Sequence, residues 1–188
     1  MKKIILSAIA IMTIGLANAQ ETKFGVKAGL NLASFSGNSD FTTRPSFYIG
    51  GLVEIKVSEK FSVQPELVYS SQGTKFKSDS DYTSKLDYLN IPVMMKYFVA
   101  KGFSIEAGPQ IGFVMSAQDT YKGVTEDVKA SVNTTDFSLG FGAGYDVTEN
   151  INIGLRYNVG LTKINKNSNP GFNDIKNSVF QIGAAYKF

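Results

Sequence analysis

Residues 136–162, DFSLGFGAGYDVTENINIGLRYNVGLT, place an apolar side chain at every second position and a small or polar one between. Phe137, Leu139, Phe141, Ala143, Tyr145 and Val147 alternate with Asp136, Ser138, Gly140, Gly142, Gly144 and Asp146. After Thr148-Glu149-Asn150, Ile151, Ile153, Leu155, Tyr157, Val159 and Leu161 alternate with Asn152, Gly154, Arg156, Asn158, Gly160 and Thr162. Successive side chains of a strand point to opposite faces, so period two predicts a hairpin with one apolar face and one small, polar face. What the apolar face touches, a protein core or lipid, decides what such a chain can be.

The same alternation recurs at about 23–34, 46–57, 61–72, 86–99, 103–117 and 178–188, which makes eight strands in all. Short turns fall at Ser58-Glu59-Lys60, Ala100-Lys101-Gly102 and Thr148-Glu149-Asn150, and long polar loops at about 35–45, 73–85, 118–135 and 164–177. Short and long connections strictly alternate, so an up-and-down meander has its short turns at one end and its long loops at the other. The predicted fold is all-β, an eight-stranded antiparallel up-and-down transmembrane β-barrel. Pro65, Pro92 and Pro109 lie inside predicted strands, where a closed barrel has no free edge to excuse a missing N–H, and bulges or broken ladders are expected there.

The opening MKKIILSAIAIMTIGLANAQ has a positive start at Lys2 and Lys3, an apolar run from Ile4 to Leu16 and the small residues Ala17-Asn18-Ala19. That is the layout of a secretory signal peptide, with cleavage expected between Ala19 and Gln20. The domain reading is therefore 1–19 signal peptide and 20–188 barrel. Loss of Lys2 and Lys3 takes the 19 Lys+Arg to 17 against 16 Asp+Glu, a net charge of +1. With no basic run either, nothing points to nucleic acid. An exported chain without Cys is not held by disulfides.

Four features favour lipid against the apolar face over a soluble periplasmic ligand-binding barrel. The polar face is rich in Gly, Ser and Asn, which suit the crowded inside of a narrow barrel and would weaken a solvated outer surface. Aromatics on the apolar face gather at the strand ends: Phe24, Phe61, Tyr97, Phe103, Tyr145 and Tyr186 at the short-turn end, and Phe47, Tyr69, Phe113, Phe137 and Phe180 at the long-loop end. Two such girdles mark the two membrane interfaces. Export leads to the compartment bordering the outer membrane. The final strand ends with Phe180, Ile182, Tyr186 and Phe188 on the apolar face.

VQPELVYSSQG (63–73), LDYLNIPVMMKYF (86–98), EAGPQIGFVMS (106–116) and the terminal YKF resemble the outer-membrane β-barrel domain family common in Bacteroidetes, which includes PorT-like proteins. The resemblance covers nearly all of the chain after the signal. It implies an eight-stranded outer-membrane barrel, accounts for the three prolines as family habits, and makes Phe180, Ile182, Tyr186 and Phe188 a C-terminal signal read by the barrel-insertion machinery. It implies no shared activity, and the porin label attached to such proteins is loose.

With neither His nor Cys, Ser–His–Asp and Cys–His catalysis and thiolate or imidazole metal sites are excluded. Gly140–Gly144, GFGAG, departs from dinucleotide spacing and lies in a strand. Asp79–Asp81, DSD, lacks the rest of a calcium loop. We expect no catalytic, cofactor-binding or metal-binding residues, and no enzyme.

Lys27, Glu54, Lys56, Glu66, Lys96, Glu106 and Arg156 all have inward parity. An eight-stranded barrel is just wide enough for side chains to fill, and isolated charge at low dielectric is costly, so these residues should pair into a plug. Arg156 is expected to pair with Glu66 or Glu106. The reading is an integral outer-membrane barrel, exported to that membrane, with both ends of the mature chain in the periplasm. Its four external loops would meet lipopolysaccharide, surface proteins or host molecules, with Phe41, Tyr82, Tyr121 and Phe172 as anchors or as loop buttresses. A small-solute pore is the main alternative.

Overall fold

A computed structural model describes residues 21–166 and 174–188. The expected cleavage point at Ala19 and Gln20, and Phe172, lie outside the described residues. Nine strands are present: β1 (Glu21–Ser36), β2 (Phe41–Ser58), β3 (Phe61–Phe76), β4 (Tyr82–Ala100), β5 (Phe103–Tyr121), β6 (Val124–Asp127), β7 (Thr135–Asp146), β8 (Ile151–Gly160) and β9 (Lys176–Lys187). All but β6 form one antiparallel ring in the order β4-β3-β2-β1-β9-β8-β7-β5, closed by β4 against β5. The first and last strands pair from Gly25 with Lys187 to Ser36 with Lys176. No helix among the described residues is long and apolar enough to cross a membrane. A closed ring satisfies strand backbone groups without one.

The apolar rows look outward. Phe24, Val26, Leu30, Ile49, Leu67, Met95, Ile105, Phe141, Leu155 and Ile182 are all exposed on the outer wall, while polar residues between such positions, among them Asn31, Glu66, Lys96, Ser104 and Arg156, are buried inside. The C-terminal residues follow the same parity: Ile182, Tyr186 and Phe188 are exposed and Phe180 is half-buried, with the Tyr186 and Phe188 rings 5.3 Å apart. Both sets of girdle aromatics lie on this wall.

Three expectations need correction. The first two long connections are mostly strand, leaving only residues 37–40 and 77–81 between elements. Backbone pairing simply continues past the membrane level. The third connection carries β6, which pairs with the top of β5 through a tight turn at Lys122-Gly123, both with positive φ. Finally, the alternation expected over 103–117, which would point Ser116 inward, breaks near its end. An extra residue of β5, between the pairs Asp87–Ser116 and Tyr88–Val114, reverses the parity and turns Ala117 into the interior.

The register skips the residues beside the prolines without shifting. It is interrupted between Leu52–Glu66 and Ile55–Val63, between Pro65–Val93 and Val68–Asn90, and between Pro92–Gln110 and Met95–Ala107. Register shifts occur elsewhere, one of them between Thr43 and Tyr48 of β2, a segment that contains Pro45.

Candidate functional site: the filled lumen

The lumen is packed in three levels. In the half nearer the short turns, cations and carboxylates form one connected chain. Lys187 Nζ lies 2.9 Å from Asp146 Oδ1 and 3.4 Å from Glu54 Oε2. Lys96 Nζ donates to Glu54 Oε2 at 2.8 Å and to Gln64 Oε1 at 3.3 Å. Gln64 Nε2 passes the chain on to Glu66 Oε1 at 2.7 Å. Glu66, whose side chain is 0% exposed, accepts from Lys27 Nζ at 2.9 Å and from two nitrogens of Arg156 at 3.0 and 2.7 Å. Arg156 Nε completes the series on Glu106 Oε1 at 2.7 Å.

Lys27, Lys96, Arg156 and Lys187 thus face Glu54, Glu66, Glu106 and Asp146, four cations against four carboxylates. Each buried charge has a partner, the condition under which ionised groups survive desolvation. The bidentate Arg156–Glu66 pair uses the planar fork that only a guanidinium offers.

The wall makes room for these long side chains. Gly142 faces Arg156 in the β7–β8 register, and a Cβ there would come within 2.9 Å of Glu106 Oε1. Gly29 and Gly183 are paired neighbours, and the Tyr48 ring lies across both, so a Cβ on either would overlap it. Lys27 Nζ sits 5.5 Å from that ring's centroid. A cavity of about 40 Å³ remains between Lys27, Tyr48, Lys96, Arg156 and Lys187, room for a few waters rather than a solute.

Above the charges lies a layer of amides and hydroxyls. Asn158 Nδ2 donates to Gln181 Oε1, Gln181 Nε2 to Asn31 Oδ1, and Asn31 Nδ2 to Ser70 Oγ, all between 2.8 and 3.0 Å. Asn177 Nδ2 then bridges Tyr88 Oη at 3.0 Å and Asp136 Oδ2 at 3.2 Å. The third level is apolar. Phe35, Phe41, Leu86, Tyr88, Val114, Ala117, Val132 and Ile164 form a buried cluster that closes the mouth on the long-loop side.

Six of the seven expected lumen charges lie in the connected chain. Lys56 does not: its side chain is 40% exposed and pairs with Glu21 at 3.5 Å on the rim, because inward parity near a strand end does not place a residue in the interior. Lys187, Asp146 and Gln64 were missing from the expected set, although their alternation with apolar neighbours marked them as inward.

Of the loop aromatics, Phe41 is buried in the apolar closure, with its ring 5.7 Å from Phe35 and 5.3 Å from Phe76. Tyr82 packs 4.6 Å from Phe76 and donates to Asp119 Oδ2 at 2.8 Å, whereas Tyr121 is exposed. Asp79 Oδ1 accepts the Asp81 N–H at 3.0 Å, a local turn. Among the described residues, no group of three or more His, Cys, Asp or Glu is placed to hold a metal.

The family described as outer membrane protein beta-barrel domain matches residues 18–166, most of the chain. The protein belongs to that family. As an outer-membrane β-barrel it resides in the bacterial outer membrane, and its exposed apolar wall faces lipid. No curated protein matches it. Among solved structures, Neisserial surface protein A is similar over 90% of this chain and 100% of its own, at 16% identity and a TM-score of 0.61. Ail, the attachment invasion locus protein of Yersinia pestis, is similar over 90% and 100% at 15% identity and a TM-score of 0.52. At such identities the likeness is one of fold: a small closed barrel.

Proposed function

We propose that this outer-membrane barrel is a closed, non-catalytic scaffold whose external end serves as an interaction surface. The observation that carries the reading is the double closure of the lumen, by paired charges in one half and by the apolar cluster at the external mouth. Both levels are filled by buried side chains, and the cavity of about 40 Å³ is far below the size of a typical ligand pocket. The exposed Tyr121 and Val124 flank the β5–β6 turn and offer apolar contacts to a partner surface. Ail is named for attachment and invasion and has been crystallised with the heparin analogue sucrose octasulfate. A polar surface ligand or surface protein is the corresponding class of partner for this chain.

The same reading includes export by a signal peptide cleaved after Ala19, recognition of the Phe180–Phe188 strand by the barrel-insertion machinery, and placement with the PorT-like proteins of Bacteroidetes. The alternation at the chain's end and the quoted motifs support these points. Single-channel recording in planar bilayers tests the closure. The expected trace shows no steady conductance; a stable open state of porin size would make the protein a solute pore instead.

A further inference from the structure

We propose that the outer wall of β2, β3 and β4, just beyond its lipid-facing band, binds the phosphorylated headgroup of an outer-leaflet glycolipid. The site lies outside the lumen and below the loop tips. It depends on the outward orientation of the wall and not on what the loops contact.

The Phe47 and Tyr69 rings, 5.9 Å apart, mark the external edge of the apolar band on β2 and β3. Directly beyond them the wall turns cationic on three adjacent strands, with Arg44 on β2, Lys75 on β3 and Lys85 on β4. The register holds these together: Lys75 pairs with Thr42 on one side and Thr83 on the other, and Lys85 stands opposite Gly73. The extra residue of β2 between Thr43 and Tyr48 aims Arg44 across β3, where Nη1 donates to Ser71 Oγ at 3.3 Å and to the Gln72 carbonyl at 3.1 Å. Its Nη2 and Nε have no hydrogen-bond partner among the described residues, and Lys75 Nζ has none either. The single counter-charge is Asp87, 3.1 Å from Lys85, whose side chain is still 39% exposed. Three cations against one carboxylate leave a surplus of two.

At the same level, the wall positions of β5, β7 and the residue after β8 are Gln118, Thr120, Thr135 and Leu161, and Lys129 nearby is engaged on the Met115 carbonyl. On β9, Lys176 continues the outward row of Phe180 and Ser178 and pairs with Ser36 of β1, so the cations of this level lie on β9 and on β2–β4, three of them on adjacent strands. A guanidinium edge on β2 with ammonium groups on the next two strands suits a phosphate monoester, which a guanidinium grips at two points. The long stems of lysine and arginine lie along apolar surface and hold their charges at headgroup depth. Because the cluster opens sideways above Phe47 and Tyr69, where acyl chains end, its ligand is a lipid headgroup rather than a soluble anion.

Native mass spectrometry of the full barrel with diphosphorylated lipid A tests the site. Each cation near a charged surface is worth about 1 kcal/mol, roughly a fivefold change. Arg44→Gln, Lys75→Gln and Lys85→Gln together should therefore weaken retention by roughly a hundredfold. Removing the lipid's phosphates should do the same to the wild type. Lys60→Gln with Lys101→Gln, at the opposite end, should change nothing. Equal retention by the triple variant, or indifference to the phosphates, overturns the proposal. Displacement by millimolar inorganic phosphate also overturns it, since the site would then be one for free anions. Gel migration before and after boiling reports whether each variant still forms the barrel, which separates a lost lipid from a lost fold.

Discussion

Arg156 reaches Glu66 and Glu106, residues 90 and 50 positions away in the chain, and satisfies both through three nitrogens. Replacing it with Gln strands Glu106 in the interior and leaves Glu66 to Lys27 and Gln64 alone, and should cost about 3–5 kcal/mol, read from urea unfolding in lipid bilayers. Adding Glu66→Gln to that variant should recover part of the loss, whereas strictly additive losses would mean the two groups do not act on one another. Parity in the sequence was enough to point Arg156, Glu66, Glu106, Lys96, Glu54 and Lys27 into the lumen. It could not say which carboxylate meets which cation, because that depends on register and on height along the barrel axis. The same limit explains Lys187 and Asp146, which meet only once β9 is laid against β8 and β8 against β7.

At the level of elements, strand existence and facing were legible from alternation because a buried lumen and a lipid-facing wall both punish a slip of one residue. Leu155 is the sharpest test. It pairs with Ala143 and Ile182 and is 49% exposed on the outer wall. Leu155→Arg should lower the folding free energy in bilayers by about 2–4 kcal/mol, as for a charge placed on the lipid face near mid-depth. Unchanged stability would mean this position faces water. Strand ends and bulges were less legible. Nothing in Met115-Ser116-Ala117 announces an extra residue, since the signal is a count of β5 residues against their partners on β4. The segments 35–45 and 73–85 looked like loops because polar side chains dominate there, although the backbone goes on pairing in water up to the tips at 37–40 and 77–81.

For the molecule as a whole, closure comes from two unlike materials. The charged half is locked by many partners. The external apolar cluster lies above the membrane level and is held by ordinary burial, so Leu86→Ala, at a site 1% exposed, should cost about 2–5 kcal/mol. That loss, measured by urea unfolding, should leave the barrel's heat-dependent gel shift intact, because Leu86 lies above the lipid-facing wall. The cluster was not foreseen in the sequence: Phe35, Val132 and Ile164 sit in or beside segments that read as loops, and only the closed ring brings them over the axis.

A lumen with interlocked charges at one end and an oily stopper at the other is corked twice. An ion arriving from the periplasm meets cations and carboxylates already taken up with one another, while one outside the cell meets a dry lid. The two sides of the membrane therefore see different proteins: toward the environment a sealed post with a decorated rim, toward the periplasm a mosaic of opposite charges that sums to zero.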